Sequence, residues 1–438
     1  MKPEIKQRIE QLNNGEIPKG YKKTDFGVFP CDWITDKKLK DIGTFGKGKG
    51  LPGNRMQSKG VPCVGYGDIY MKYNHSHFEN AQSFVDEKTA EESQMIKKGT
   101  LLFTGTGETA DEIGKCVCYN GEVEIYAGGD IITFVTNQVN PIFVAYQQYQ
   151  PFSLKKKASF GQGHSVVHIQ KDSLEKLNVA YPSSSQEQSR IAEILMKWDK
   201  AIDLYEKQIE ALTRYKKICL GKMFPKKGQN VPEWRFQSFS GAWEYRKLGD
   251  IGTTFTGLTG KTKDDFGHGE AKFVTYMNVF SNPISDTEKT EAIEIDKKQN
   301  SVQYGDVFFT TSSETPEEVG MSSVWLENSD NMYLNSFCFG YRPITEIDPY
   351  YMAYMLRSGA FRRKIIYLAQ GISRYNISPK GVMHIEVPFP CLTEQKLIGN
   401  YFSKIDSLIT LHQRKKEKIT NQRKTLQQYL LNGIVRVR

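Results

Sequence analysis

The 438-residue chain has no apolar run long enough to span a bilayer, and its first residues lack the basic, apolar, small-residue order of a secretion signal. The expectation is therefore a cytoplasmic protein with no membrane partner. Cysteine is sparse. Seven are scattered, with one Cys-x-Cys (Cys116, Cys118) and no Cys-x-x-Cys, which excludes a disulfide framework or cysteine-rich zinc site and leaves reduced, buried thiols. His75-Ser76-His77 lacks further ligands at metal spacing.

Catalytic signatures are missing too. No Asn or Asp is followed by Pro-Pro and an aromatic ring, the run an adenine methyltransferase needs to bind the amino group. Gly43-Thr44-Phe45-Gly46-Lys47-Gly48-Lys49-Gly50 is a near miss of a phosphate-cradling loop, because Gly50 stands where Ser or Thr must hold magnesium. In Gly260-Lys261-Thr262 the fault is at the other end, where Phe255 replaces the first glycine. Glu314-Thr315-Pro316-Glu317-Glu318 reads as a solvated loop and not as a nuclease's carboxylate cluster beside a lysine. By elimination the chain is a binding or scaffolding protein.

What the sequence does have is two long helices of one design. Ile191, Leu195, Trp198, Ile202, Tyr205, Ile209 and Leu212 step by four and three, the seam of a coiled coil. Ile398, Phe402, Ile405, Ile409, His412, Lys416 and Ile419 repeat it 207 positions later (398 − 191 = 207), and Arg423, Leu426 and Leu430 extend it. Ser184 with Glu187 at capping-box spacing opens the first, and Thr393 is the expected cap of the second. Each runs about 36 residues, roughly 55 Å. His412, Lys416 and Arg423 have no evident polar counterparts in the first seam, so they are expected to fix register.

The regions before the helices also repeat. Short β-rich runs bounded by Gly, Asn and Thr give each an α+β character. Gly99, Phe103, Thr104, Glu108, Thr109, Glu112 and Gly114 reappear as Gly305, Phe309, Thr310, Glu314, Thr315, Glu318 and Gly320, each 206 later (305 − 99 = 206). The Cys63–Ile69 strand is echoed from Phe273. Between such landmarks the halves differ freely, which suggests two related tasks on two targets.

The expected fold class is α+β: two α/β recognition domains separated by two long helices that form an antiparallel coiled coil, a pseudo-twofold tandem repeat. The expected divisions are residues 1–182, 183–225, 226–390 and 391–438.

Net charge is +9, from 59 basic and 50 acidic residues. That lean suits a polyanion or merely a well-solvated surface. The layout, together with Gly20-Tyr21-Lys22-Lys23-Thr24, Trp33, Glu187-Gln188-Ser189-Arg190-Ile191-Ala192, Glu394-Gln395-Lys396-Leu397-Ile398 and Leu430-Leu431-Asn432-Gly433-Ile434-Val435-Arg436, resembles the DNA-specificity subunit of Type I restriction-modification enzymes over essentially the whole chain.

The resemblance implies that each variable domain reads one half of a split target in double-stranded DNA while the helices set the spacer. It implies two modification (methyltransferase) subunits docked on the helices, and restriction subunits that translocate DNA. S-adenosylmethionine, ATP and magnesium would sit on those partners and none on this chain, in the cytoplasm of a bacterium or archaeon, at the nucleoid. Its DNA contacts are expected at Lys47, Lys49, Arg55, Tyr66, Thr104, Thr106, Gln162 and His164, the last two following Lys155-Lys156-Lys157. In the second half they are Lys261, Lys263, Tyr276, Asn278, Thr311, Ser312, Ser313, Arg374 and Tyr375. The rival readings are a stand-alone methyltransferase or nuclease with an unrecognised site, a coiled-coil scaffold whose heads bind something other than DNA, and an orphan homologue that dimerises or serves another enzyme.

Overall fold

The computed structural model describes residues 2–51, 53–163 and 166–437. The chain divides into two compact units: residues up to Leu204 with those from Lys415 onward, and Tyr205–Arg414.

The first unit is built on a five-stranded sheet in the order Gly43–Lys47, Ile131–Thr136, Thr100–Thr104, Cys116–Tyr119, His77–Phe78. A four-stranded sheet, Ser83–Val85, Val61–Val64, Ile125–Ala127, Gln94–Ile96, accompanies it. The second unit repeats the larger sheet with four strands, Gly252–Thr256, Cys338–Pro343, Val307–Thr310, Ser322–Val324. In place of a fifth strand, the single parallel bridge Ile284 to Val324 marks its edge. A three-stranded sheet, Thr290–Ile293, Phe266–Val274, Met332–Leu334, completes that unit.

The run expected as one strand from Cys63 to Ile69 is two elements. The strand ends at Val64 and a short helix, Tyr66–Met71, follows, because Gly65 in extended conformation receives the Asp68 carboxylate on its N–H. The echo behaves alike: the strand ends at Val274 and Thr275 caps the helix Tyr276–Ser281.

The long helices span Ser185–Lys222 and Leu392–Leu431, 38 and 40 residues. Ser184 caps the first through the Glu187 N–H as its spacing requires. Thr393 is not the cap of the second, which already begins at Leu392. Within each unit the helical stretches run antiparallel. In the first, Ile191, Ala192 and Leu195 share a buried cluster with Leu430 and Leu431 and with Phe143 and Tyr146 of the head. In the second, Cys219 and Met223 meet Ile398, Phe402 and Ile405, with Tyr351 and Tyr354 of the head. Fully burying each such side chain contributes about 1.5–3 kcal/mol, so the apolar seam dominates the cohesion of head and helices.

The Glu-Gln pair at each helix start fastens it to its head. Gln188 donates to the Pro182 carbonyl and accepts from the Asn140 N–H; Gln395 does the same with Pro390 and Asp348. Asn140 and Asp348 in turn cap the short helices Pro141–Gln147 and Pro349–Met355. Glu187 is gripped by Arg436, and Glu394 by Arg235.

The expectation that Arg423 lacks a counterpart is overturned. Asp199 is buried at 1% exposure and takes Arg423 and the Tyr146 hydroxyl. Asp406, 207 later (406 − 199 = 207), takes Lys216, the residue 207 before Arg423 (423 − 207 = 216), and the Tyr354 hydroxyl. Burial, with the neighbouring carboxylate second, pushes both tyrosine hydroxyls far above their ordinary range. The match was hidden because the pairing swaps helices: the acid lies on the central helix in one unit and on the distal helix in the other.

Candidate nucleic-acid interface

In the first unit three loops meet through backbone hydrogen bonds. The Gly105 N–H donates to the Asp130 carbonyl, and the Gly105 carbonyl accepts from Ile169, each at 2.9 Å. Thr106-Gly107 pairs with Val167-His168, and Gln162 bridges His168. Tyr70 reaches across from the short helix to the Thr106 carbonyl at 3.1 Å.

The second unit has the same junction. The Thr311 N–H donates to the Phe337 carbonyl, the Thr311 carbonyl accepts from Ile377, each at 3.0 Å, and Ser312-Ser313 pairs with Tyr375-Asn376. Gln370 bridges Asn376, and Tyr276 donates to the Ser312 carbonyl at 2.7 Å.

Both third loops turn on a glycine that nothing else replaces. Gly163 has φ +122° and Gly371 φ +138°, and a Cβ on either would lie 2.0 Å from the carbonyl oxygen of Val166 or Arg374. The result is a pair of braced rims whose main chain matches and whose side chains do not.

The rims gather about half of the sequence-expected contacts. Thr106 and Gln162 lie on the first, and exposed Tyr66 lines with Tyr70 and Thr106 a cavity of about 740 Å³ beside it. Lys47 and Lys49 are exposed on a segment tied by Gly48 to Ile131 and by Lys49 to Ala127, the loop that carries Asp130. Thr311, Ser312, Arg374 and Tyr375 lie on the second rim, Arg374 exposed and in no ion pair among the described residues. Ser313 belongs to it as well but is buried, and donates to Glu318.

Others are placed elsewhere. Thr104 is buried, its hydroxyl 2.8 Å from that of Tyr70, so it positions the tyrosine. Asn278 is wholly buried: its amide nitrogen donates to the carbonyls of Asp286 and Lys289 and its oxygen accepts from the Asp286 N–H, which leaves no edge for a base. Arg55 faces Glu92 at 3.5 Å, and Lys261 is held by Asp296 at 2.9 Å. Lys263 is exposed in the single turn Lys263–Asp265, with no hydrogen bond to the rim among the described residues. His164 falls outside the described residues. Within Lys155-Lys156-Lys157, Lys157 is buried and donates to the Gly114 carbonyl, and burial lowers its amine to about 8.

Sequence reasoning missed Tyr70, His168, Asp130, Phe337 and Ile372. The apolar pair carries no signal of a polar contact, and Tyr70 was overlooked because it sits four positions further into its helix than Tyr276 does in its own.

Known proteins share this organisation. The pattern of the Type I restriction modification DNA specificity domain matches residues 30–214 and again 241–421. A chain of Methanocaldococcus jannaschii, named provisionally as the type I restriction enzyme MjaX specificity subunit, is 26% identical over 442 aligned positions, covering 95% of this chain and 97% of its own. The crystal structure of the S subunit of a Type-I restriction-modification system from M. genitalium superposes with a TM-score of 0.59 at 14% identity, over 91% of this chain and 96% of that one. A chain solved in a study of complex assembly and conformational transition of the type I R-M system gives 0.54 at 12%, over 96% and 100%. Among the described residues no helix is long and apolar enough to cross a membrane.

Proposed function

Because the chain belongs to the family of Type I restriction-modification DNA specificity domains, a recognition component and not a catalyst, we propose that its two units read the two halves of a bipartite DNA target separated by a spacer of fixed length. The observation that carries this reading is the rim built twice on one hydrogen-bonded frame with unlike side chains: common backbone geometry suits a common duplex, and unlike side chains suit unlike base edges.

On this reading the long helices set the spacer and dock two modification subunits, to which restriction subunits add. Leu204 and Leu411, 207 apart (411 − 204 = 207), are 56% and 45% exposed on those helices, apolar surface suited to such partners. S-adenosylmethionine and ATP, with its magnesium, are bound by the partners and not by this chain.

The test is a map of methylated adenines in cells carrying the chain with its modification subunits. The expected outcome is two short sequences at constant spacing that appear only when the chain is present. A contiguous target, or a map unchanged by deleting the chain, overturns the reading.

A further inference from the structure

The second rim ends in apolar side chains. Ile372, in the loop between Gln370 and Asn376, is 96% exposed, and Phe337, whose carbonyl is bonded to the Thr311 N–H and hydroxyl, is 61% exposed. One exposed isoleucine is ordinary on a protein surface. Here two large apolar groups project from loops joined through one residue, Thr311, and neither loop is slack. Gln370 and Asn376 exchange both backbone hydrogen bonds, Ile377 donates to Thr311, and Gly371 fixes the bend. Isoleucine is itself stiff at its first torsion, so a braced isoleucine tip loses little entropy when it is confined. Arg374, two residues on and exposed, places a positive charge beside that tip, as a group entering a phosphate-lined groove requires.

Resting on the DNA-reading function above, we propose that Ile372, supported by Phe337, is a wedge that enters a base step of the half-site read by the second unit and partly unstacks it. Inserted apolar side chains kink DNA at the steps where unstacking costs least, the pyrimidine–purine steps. Part of the second unit's preference is then for a deformable step and not for a hydrogen-bonded base. The first rim lacks the support that Phe337 gives: the carbonyl bonded to Gly105 belongs to Asp130, whose carboxylate a base stack rejects.

The test uses the full chain assembled with its modification subunits and duplexes carrying the mapped target, with 2-aminopurine placed in turn at each purine of both half-sites. The unaltered protein is expected to raise the fluorescence at one pyrimidine–purine step of the second unit's half-site. Ile372→Ala should abolish that rise and weaken binding about tenfold, with the first half-site's contribution unchanged. Ile372→Met should keep the rise, since it restores an apolar tip. Binding with no rise at any step of that half-site, or a rise that survives Ile372→Ala, overturns the wedge and leaves DNA reading intact. No binding by the unaltered protein overturns both.

Discussion

The two units solve the same two problems with different residues. Where head meets helices, the first buries Asp199 under a guanidinium, Arg423, while the second leaves Asp406 30% exposed under an ammonium, Lys216. At the rims the contrast is wider, Asp130 against Phe337 on one hydrogen-bonded frame. Groups that hold the frame are interior and answer to geometry. Groups on the rim answer only to what they meet, so they are free to diverge.

The sharpest way to break the comparison is to delete each acid. Asp199→Ala takes the one paired carboxylate from Arg423 and the Tyr146 hydroxyl and leaves the guanidinium only the neutral Gln427 oxygen, a loss of about 3–5 kcal/mol. Asp406→Ala should cost about 1–2 kcal/mol, because the Asp406 carboxylate is itself 30% exposed, so the Lys216–Asp406 pair is screened by water more than the one buried around Asp199. Hydrogen exchange resolved by unit measures both; equal losses would mean that burial does not set the difference.

Next in size is the bend of each rim. Gly371→Ala forces a Cβ onto the Arg374 carbonyl at positive φ, a strain of about 1–3 kcal/mol that the loop relieves by moving. Gly163→Ala does the same to the first rim. Each substitution is expected to relax one half-site in a methylation map and to leave the other half and the spacer unchanged. Relaxation of both halves by one substitution would show that the rims do not read separately.

That separation was half legible in the sequence. The seam of the long helices, their Glu-Gln starts and the paired glycines at 99 and 305 and at 163 and 371 are positions where packing or φ leaves little choice, so they recur at a near-constant offset. The rim itself was harder to see. Thr104 and Asn278 looked like base readers because their chemistry suits a base edge as well as it suits an interior hydrogen bond, and only burial separates the two uses. Phe337 and Ile372 erred the other way, as apolar residues that face water. The Asp199–Arg423 match was hidden because its partners exchange helices.

A smaller contrast lies at the turn before Cys116–Tyr119 in the first unit and before Ser322–Val324 in the second. Lys157 lies over Gly114, and Ile365 lies over Gly320. In the second unit the Gly320 carbonyl is satisfied instead by Arg362, whose counterpart in the first is Leu154 (362 − 208 = 154). Burial lowers the Lys157 amine to about 8 from an ordinary 10.5. Between those values the unfolded chain holds the proton and the folded chain does not, so the first unit gains stability as pH rises through that window, and below about 8 the cost is present in full. Lys157→Ile removes the ionisation and its pH slope but leaves the Gly114 carbonyl unpaired, so at neutral pH its stability should fall within about 1 kcal/mol of the unaltered chain. Leu154→Arg with Lys157→Ile imports the second unit's arrangement and should recover about 1 kcal/mol more. Denaturant unfolding followed from pH 7 to 10 is the measurement, and a slope that survives Lys157→Ile would place its origin elsewhere.

The smallest expected effect concerns the cation of each pair. Arg423 sets two nitrogens on the two oxygens of Asp199 and a third on Gln427, whereas Lys216 sets one nitrogen on both oxygens of Asp406 at 2.5 and 2.8 Å. Exchanging the cations is not neutral. Arg423→Lys gives up the two-point grip and should cost about 0.5–1 kcal/mol in the first unit. Lys216→Arg alone should gain nothing, because the third nitrogen would face Leu220, the residue in Gln427's place (427 − 207 = 220), and an unpaired N–H offsets the better fork. Lys216→Arg with Leu220→Gln supplies the missing acceptor and should stabilise the second unit by about 0.5 kcal/mol. If the single substitution already stabilised it to that extent, the glutamine would be incidental, and the two junctions would differ by the cation alone.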